Sequence, residues 1–107
     1  MKTMLALFAL FTILSAVILA GYAQENGASG EDLFKKHCAV CHPDGGNIVN
    51  SKFALHKKDL EAHNIKNPGD IVNKMRNPGP GMPAFDEKTV PDEDARKIAD
   101  YILKIFK

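Results

Sequence analysis

Both cysteines of the 107-residue chain lie in one five-residue segment, Cys38-Ala39-Val40-Cys41-His42. This is the C-x-x-C-H pattern of covalent haem attachment. Two thiols at this spacing lie about one helical turn apart, so they can add to the two vinyl groups of one haem. The histidine directly after the second thiol is then held beneath the iron, where its imidazole can be the proximal ligand. The pattern predicts one haem c that is attached through Cys38 and Cys41, with His42 bound to the iron.

Three other interpretations of the cysteine pair are open at this level. A redox-active disulfide belongs near a strand–helix–strand unit, which this chain does not show, and it gives His42 no role. Zinc could be bound by Cys38, Cys41, His56 and His63, but six residues separate the two histidines, more than the usual three to five. A structural disulfide would close a very small loop and stabilise little. We favour haem attachment, because these are the two cysteines of a chain that carries an export signal.

The export signal lies at the N-terminus. Residues 4–20 form an apolar run that follows a lysine and is interrupted by two hydroxyl residues, with Gly21 and Ala23 behind it. A positive start, an apolar middle and a small-residue exit are typical of a secretory signal peptide. We expect residues 1–23 to be cleaved, with an uncleaved membrane anchor as the alternative. The protein is then periplasmic or in another exported compartment, and it meets a membrane if the signal segment is retained.

The mature chain is small and formally neutral. After residue 23 it has 84 residues, with 13 acidic and 13 basic side chains. A chain of this size is near the lower limit for a self-sufficient core, so a large buried cofactor would stabilise it. A neutral balance does not suggest nucleic acid as a partner. We expect a flexible linker at residues 24–29 and a single domain at residues 30–107.

The hydrophobic pattern predicts an all-α fold of about four short helices around one covalently bound haem. Signals for the four helices are a capping serine at Ser29, a short segment at 57–64, a capping asparagine at Asn67 and a proline at Pro91. A cluster of turn residues at 43–47 predicts a loop directly after the cysteine motif. The last helix should bury one apolar stripe, formed by Ala95, Ile98, Ala99, Ile102, Ile105 and Phe106.

The second axial position of the iron needs another ligand. The candidates are Met75, Met82, His56 and His63. Met75 continues an apolar helical face and should pack in the core, whereas the two histidines lie among charged residues and should be exposed. Met82 lies in a proline- and glycine-rich segment, residues 77–85, which cannot be helical. Pro83 favours an extended backbone at Met82, and a stiff loop loses less entropy when it presents one thioether to the iron. The sequence therefore predicts Met82 as the second ligand.

With these motifs, the chain resembles the class I cytochromes c, and most closely the cytochrome c6 group and its bacterial c6-like relatives. The resemblance covers residues 30–107. The matching residues are Gly30, Phe34, Cys38, Cys41, His42, the run 45–50, Met82-Pro83-Ala84-Phe85 and Ile98-Ala99-Asp100-Tyr101-Ile102. It implies a small helical fold, His/Met iron coordination and diffusible electron transfer in the periplasm or thylakoid lumen.

Two departures from the c6 group bear on the reduction potential. Members of the group commonly have a glutamine eight residues before the axial methionine, where this chain has Lys74. Their axial loop also has fewer prolines than the segment from Pro78 to Pro83. A photosynthetic role does not follow from the resemblance.

The predicted function is one-electron transfer, and we do not expect an enzyme. His42 should donate its other ring N–H to a backbone carbonyl, either that of Pro43 or one in the stretch after Gly46. Lys52 or Arg76 could neutralise a haem propionate. The predicted apolar surroundings of the haem are Phe34, Ile48, Phe53, Leu60, Val72, Phe85, Ile98 and Ile102.

We expect a monomer without a small-molecule substrate. Redox protein partners should dock transiently at the haem edge. Uneven charge, with seven lysines before an acidic stretch at residues 86–94, could orient them. A haem enzyme or gas sensor with an open sixth position and a thiol–disulfide oxidoreductase are the competing functions.

Overall fold

The structure is a computed structural model in which residues 27–107 are described. The predicted signal peptide at residues 1–23 and half of the predicted linker at residues 24–29 lie outside the described residues. The described part contains four α-helices and no strand: α1 Gly30–His37, α2 Lys57–Ala62, α3 Pro68–Arg76 and α4 Asp92–Ile105. Two 3₁₀ helices of one turn, Pro43–Gly45 and Ser51–Phe53, lie between α1 and α2. The predicted all-α class is confirmed. No helix within residues 27–107 is long and apolar enough to cross a membrane.

The first helix begins at the predicted capping residue. The Oγ atom of Ser29 accepts a hydrogen bond from the backbone N–H of Asp32 at 3.1 Å, which satisfies one of the free donors of the first turn. The helix buries Leu33 and Phe34. It ends at Cys38, whose backbone N–H donates to the Phe34 carbonyl. The cysteine motif is thus the direct continuation of α1.

The third helix has a complete capping box. The Asn67 side chain accepts from the backbone N–H of Asp70 at 2.9 Å, and the Asp70 carboxylate accepts from the backbone N–H of Asn67 at 3.3 Å. Pro68 occupies the first turn, where its missing N–H costs nothing. The buried face of α3 consists of Ile71 and Met75.

The fourth helix forms the centre of the fold, because α1 and α3 both pack against it. Its buried residues are Ala95, Ile98, Ala99 and Ile102. The predicted stripe was too long, since Ile105 lies beyond the last buried residue and is 50% exposed. Phe106 caps the C-terminus of α4 and its ring lies 5.2 Å from that of Phe34. The fully buried part of the stripe therefore ends one turn before the helix does, while Phe106 still packs against the core as predicted.

Candidate functional site

The cysteine motif forms a compact turn at the end of α1. The N–H groups of Cys41 and His42 both donate to the carbonyl of Cys38, at 3.1 and 2.9 Å. This turn brings the backbone of Cys41 within hydrogen-bonding distance of Cys38, three residues earlier in the chain. Both thiols are partly buried and are not bonded to each other. Val40, between them, is 79% exposed, so one side of the motif faces solvent.

His42 is buried, with 8% of its surface exposed, and its ring has a fixed backbone partner. The Nδ1 atom donates to the carbonyl oxygen of Gly46 at 2.7 Å. Asp44 and Gly45 adopt positive φ angles of 53° and 78°, and this turn brings the Gly46 carbonyl back to the ring. Since a carbonyl can only accept, the hydrogen is on Nδ1 and the Nε2 lone pair is free to bind a metal. A backbone carbonyl partner was predicted, from Pro43 or from the stretch after Gly46. In the structure the carbonyl is that of Gly46 itself, which lies between the two predicted suppliers.

The donor set fits a haem c better than the alternatives. Burial raises the pKa of the Cys38 thiol to about 11. A redox-active C-x-x-C site needs the opposite shift, since the thiolate is the nucleophile. Among residues 27–107, no three His, Cys, Asp or Glu side chains are grouped so that they could hold a metal ion, which removes support from the zinc interpretation. Two free thiols beside an imidazole with an available Nε2 match the needs of covalent haem attachment.

The loop that carries Met82 contacts the segment after the cysteine motif. A Cβ atom at Gly81 would lie 3.2 Å from Cγ1 of Val49, so the backbone at Gly81 packs against that side chain. Its neighbour Ile48 donates its N–H to the carbonyl of Cys41 at 3.0 Å. On the N-terminal side of Met82, the loop therefore contacts Val49, whose neighbour Ile48 is hydrogen-bonded to the motif.

On the other side of Met82, the loop contacts the end of α1. The ring of Phe85 meets the His37 ring edge-on, with centroids 6.1 Å apart. His37 directly precedes the first cysteine of the motif. Phe85 also donates its N–H to the Met75 carbonyl at 2.8 Å, which fixes the loop to α3. Met82, partly buried, therefore lies in a short segment whose two ends both contact the surroundings of the motif.

The other three ligand candidates have different environments. Met75 is 4% exposed and belongs to the hydrophobic core. His56 is the N-cap residue of α2, and its ring meets Phe106 edge-on at 6.2 Å. His63 is exposed, its Nδ1 atom donates to the Asp59 carbonyl, and its ring lies 4.6 Å from Phe53.

The predicted apolar surroundings fall into three groups. Phe34, Leu60, Ile98 and Ile102 are buried in the core. Val72 and Phe85 pack against it and are partly buried. Ile48 and Phe53 are 67% and 53% exposed, on the loop after the motif and the second 3₁₀ helix.

Arg76 has a role that sequence reasoning missed. Its Nη1 atom donates to the carbonyls of Phe85 and Val90 at 2.9 and 2.8 Å, and its Nη2 atom donates to Asp92 Oδ1 at 2.7 Å. Both terminal nitrogens of the Arg76 guanidinium are thus engaged by protein acceptors, while Lys52 stays a prediction as a propionate partner. No local pattern could have revealed the bonds, because the acceptors lie 9 to 16 residues further along the chain.

Comparison with known proteins places this site in a family. A family model described as "Cytochrome C oxidase, cbb3-type, subunit III" matches residues 25–102. Cytochrome c6 of Cyanidium caldarium is 38% identical over 74 residues, which are 69% of this chain and 66% of that protein. Cytochrome c6 of Rippkaea orientalis is 36% identical over 104 residues, 96% of this chain and 93% of that protein. The structure of OmcF, the outer membrane cytochrome F of Geobacter sulfurreducens, superposes with a TM-score of 0.72 and 46% identity, covering 74% of this chain and all of that one.

Proposed function

Since the chain belongs to the cytochrome c family and is a c6-like monohaem electron carrier, we propose that it shuttles single electrons in an exported compartment with His42 and Met82 as its two iron ligands. The proposal includes covalent attachment of the haem through thioether bonds to Cys38 and Cys41. A bound haem c supplies one iron that is oxidised and reduced by a single electron.

The observation that carries this proposal is the arrangement of the loop around Met82. Gly81 contacts Val49 and Phe85 contacts His37, so both ends of this short segment lie against residues that flank the cysteine motif. His42, with Nδ1 engaged by Gly46, has its Nε2 atom available. A histidine and a thioether from opposite sides would complete a six-coordinate iron.

Each of these residues has a defined task in electron transfer. The bond between His42 and Gly46 fixes the orientation of the imidazole and would hold it in place beneath a bound haem. As a ligand, the thioether of Met82 would stabilise ferrous iron and raise the reduction potential relative to a second histidine. With both axial positions filled, a small molecule could bind only by displacing the methionine. Such a ligand set would favour electron transfer over catalysis.

Partners are expected to be redox proteins that dock weakly. Val40 lies between the two cysteines and is exposed, so a partner can approach the attachment segment directly. Lys35 and Lys36 lie in the last turn of α1, shortly before the motif, and Lys35 pairs with Glu31 at 2.9 Å. Uneven surface charge of this kind could orient a partner. We further propose a monomer that is periplasmic after cleavage of residues 1–23.

Visible and near-infrared spectra of the purified haem protein test the proposal. We expect sharp α and β bands after reduction and a weak near-infrared band in the oxidised form, which together indicate low-spin His/Met coordination. The mass of the intact protein under denaturing conditions should include the haem, because thioether bonds survive unfolding. A high-spin ferric spectrum that shifts on addition of cyanide would instead mean an open sixth position and would favour an enzyme or a sensor. A mass without haem would exclude covalent attachment.

A further inference from the structure

Arg76 closes the base of the loop that contains Met82. It is the last residue of α3, and its side chain is 18% exposed. Phe85 is held from both sides at this point, since its N–H donates to the Met75 carbonyl and its carbonyl accepts from Arg76 Nη1 at 2.9 Å. Residues 77–84 thus form a loop whose two ends are joined by a pair of hydrogen bonds. Met82 lies three residues from the closure.

The guanidinium of Arg76 also bonds to two residues that follow the loop. Nη1 also donates to the Val90 carbonyl at 2.8 Å, and Nη2 pairs with Asp92 in the first turn of α4. One side chain therefore connects the end of α3, the end of the loop and the start of α4. A planar guanidinium can make these bonds at fixed angles, whereas a lysine ammonium has neither the fork nor the reach for all three acceptors.

The other contacts that position the loop are side-chain packing at Gly81 and Phe85 and one backbone hydrogen bond, from Phe85 to Met75. Between α3 and α4, fifteen residues (77–91) have no regular secondary structure. Three prolines restrict the backbone of the loop, but they do not fix where the loop as a whole lies. Hydrogen bonds with a charged donor in a partly buried place are stronger than ordinary backbone bonds. The bonds of Arg76 therefore add a charge-assisted restraint on the position of Phe85, and through it on that of Met82.

The geometry points to Arg76 as a positioning residue for the axial methionine: its bonds to the Phe85 and Val90 carbonyls keep the Met82 thioether at the iron and make its displacement by other ligands unfavourable. Arg76 does not touch the thioether and acts through the loop. This inference rests on the proposed ligand role of Met82. It predicts that Arg76 controls how readily an external ligand replaces the methionine.

The test compares imidazole binding by the oxidised holoprotein of the wild type and Arg76→Gln, at a temperature where far-UV circular dichroism shows both to be folded. We expect Arg76→Gln to bind imidazole at least about tenfold more tightly and to lose intensity in the near-infrared band, because the methionine-bound state has lost two charge-assisted bonds. Arg76→Lys keeps the charge but not the fork, so its imidazole affinity should lie between those of the wild type and Arg76→Gln. A lowered melting temperature with unchanged band and imidazole affinity would mean that Arg76 is merely structural, which would overturn the inference.

Two matched controls isolate the carbonyl bonds. Arg96→Gln removes the same charge from an exposed position on α4 and should leave imidazole affinity unchanged. Asp92→Asn removes the ion pair and keeps both carbonyl bonds, so it should change the affinity by less than about threefold. An effect of Asp92→Asn as large as that of Arg76→Gln would contradict the assignment to the carbonyls.

Two further outcomes keep the inference separate from the proposed function. A wild type without the near-infrared band would refute methionine ligation itself, whatever Arg76 does. If Arg76→Gln does not fold with haem, the imidazole affinity of Arg76→Lys is compared with that of the wild type instead. Wild-type imidazole affinity in that variant would then overturn the positioning role.

Discussion

Gly30, the first residue of α1, lies directly against the backbone of α4, where the carbonyl oxygen of Lys97 leaves no room for a side chain. A Cβ atom at residue 30 would also come within 3.0 Å of the Cβ atom of Tyr101. The absence of a side chain lets the two helices cross closely, and this crossing buries Leu33 and Phe34 against α4. It also sets the direction in which α1 leads into the cysteine motif.

Replacement of Gly30 by alanine should destabilise the holoprotein. The added methyl group must displace the backbone of α4, and overpacking of this kind typically costs about 1–3 kcal/mol. Alanine gains at most about 1 kcal/mol of helix propensity over glycine, which is less than the steric cost. Chemical denaturation should therefore show a lower midpoint for Gly30→Ala.

Gly79→Ala is the matched control. No atom lies within 4 Å of the Cβ position at residue 79, and its φ angle is not positive. Loss of backbone freedom in the unfolded chain should make this variant neutral or more stable by up to about 1 kcal/mol. Equal destabilisation by both substitutions would mean that the contact with Lys97 is not the cause.

Gly45→Ala should have a larger effect, for two separate reasons. Gly45 has a φ of 78°, which a side chain disfavours by about 1–2 kcal/mol, and a Cβ atom there would lie 2.5 Å from Cδ1 of Phe106. We expect a total loss of at least about 2 kcal/mol in the free energy of unfolding. In a Phe106→Ala background the ring contact is absent, so the same substitution should cost less. Equal costs in both backgrounds would leave the backbone angle as the sole cause.

Local signals made much of the fold predictable. The caps at Ser29 and Asn67 act within three residues, and the structure contains both bonds. The apolar face of α4 up to Ile102 was also predictable, because helical periodicity is a local property of the sequence. The haem motif is a five-residue pattern and needs no tertiary information either.

Tertiary contacts were not predictable in the same way. The partner of His42 depends on Asp44, which adopts a left-handed conformation that is uncommon for a residue other than glycine. The bonds of Arg76 depend on how α3, the loop and α4 meet. Ile105 continues the helical spacing yet lies beyond the core, because periodicity does not show where the packing partner of a helix ends.

The acid dependence of stability should include a contribution from Asp86. The backbone N–H and the side chain of Thr89 both donate to its carboxylate, and they lower the pKa of Asp86 below its ordinary value of 3.8. A carboxyl group whose pKa is lower in the folded state stabilises the fold above its unfolded pKa, and this contribution is lost as the pH falls through the lowered value. The stabilisation by Asp86 should therefore be complete above about pH 5. It should decrease as the pH falls below the unfolded pKa of 3.8 and be lost once the pH passes the lowered pKa of the folded state.

Carboxyl-carbon NMR of the reduced protein measures this pKa directly. Asp86→Asn keeps an oxygen that can accept from Thr89 but cannot titrate, so its unfolding free energy should fall less steeply in acid than that of the wild type. An Asp86 pKa at or above 3.8, or an unchanged acid dependence in Asp86→Asn, would show that the turn at residues 86–89 does not favour the charged form.

The two methionines of the described chain that compete for the iron can be separated by a pair of substitutions. Met82→Ala removes a partly buried thioether from the loop and not from a helix, so the helices should remain while the near-infrared band disappears and the reduction potential falls. Met75→Leu replaces a core side chain by one of similar volume, so it should cost less than about 1.5 kcal/mol and retain the band. Spectroscopy and potentiometric titration of both holoproteins distinguish the two roles. Loss of the band in Met75→Leu with retention in Met82→Ala would transfer the ligand role to α3 and would also remove the reason for Arg76 to control ligand exchange.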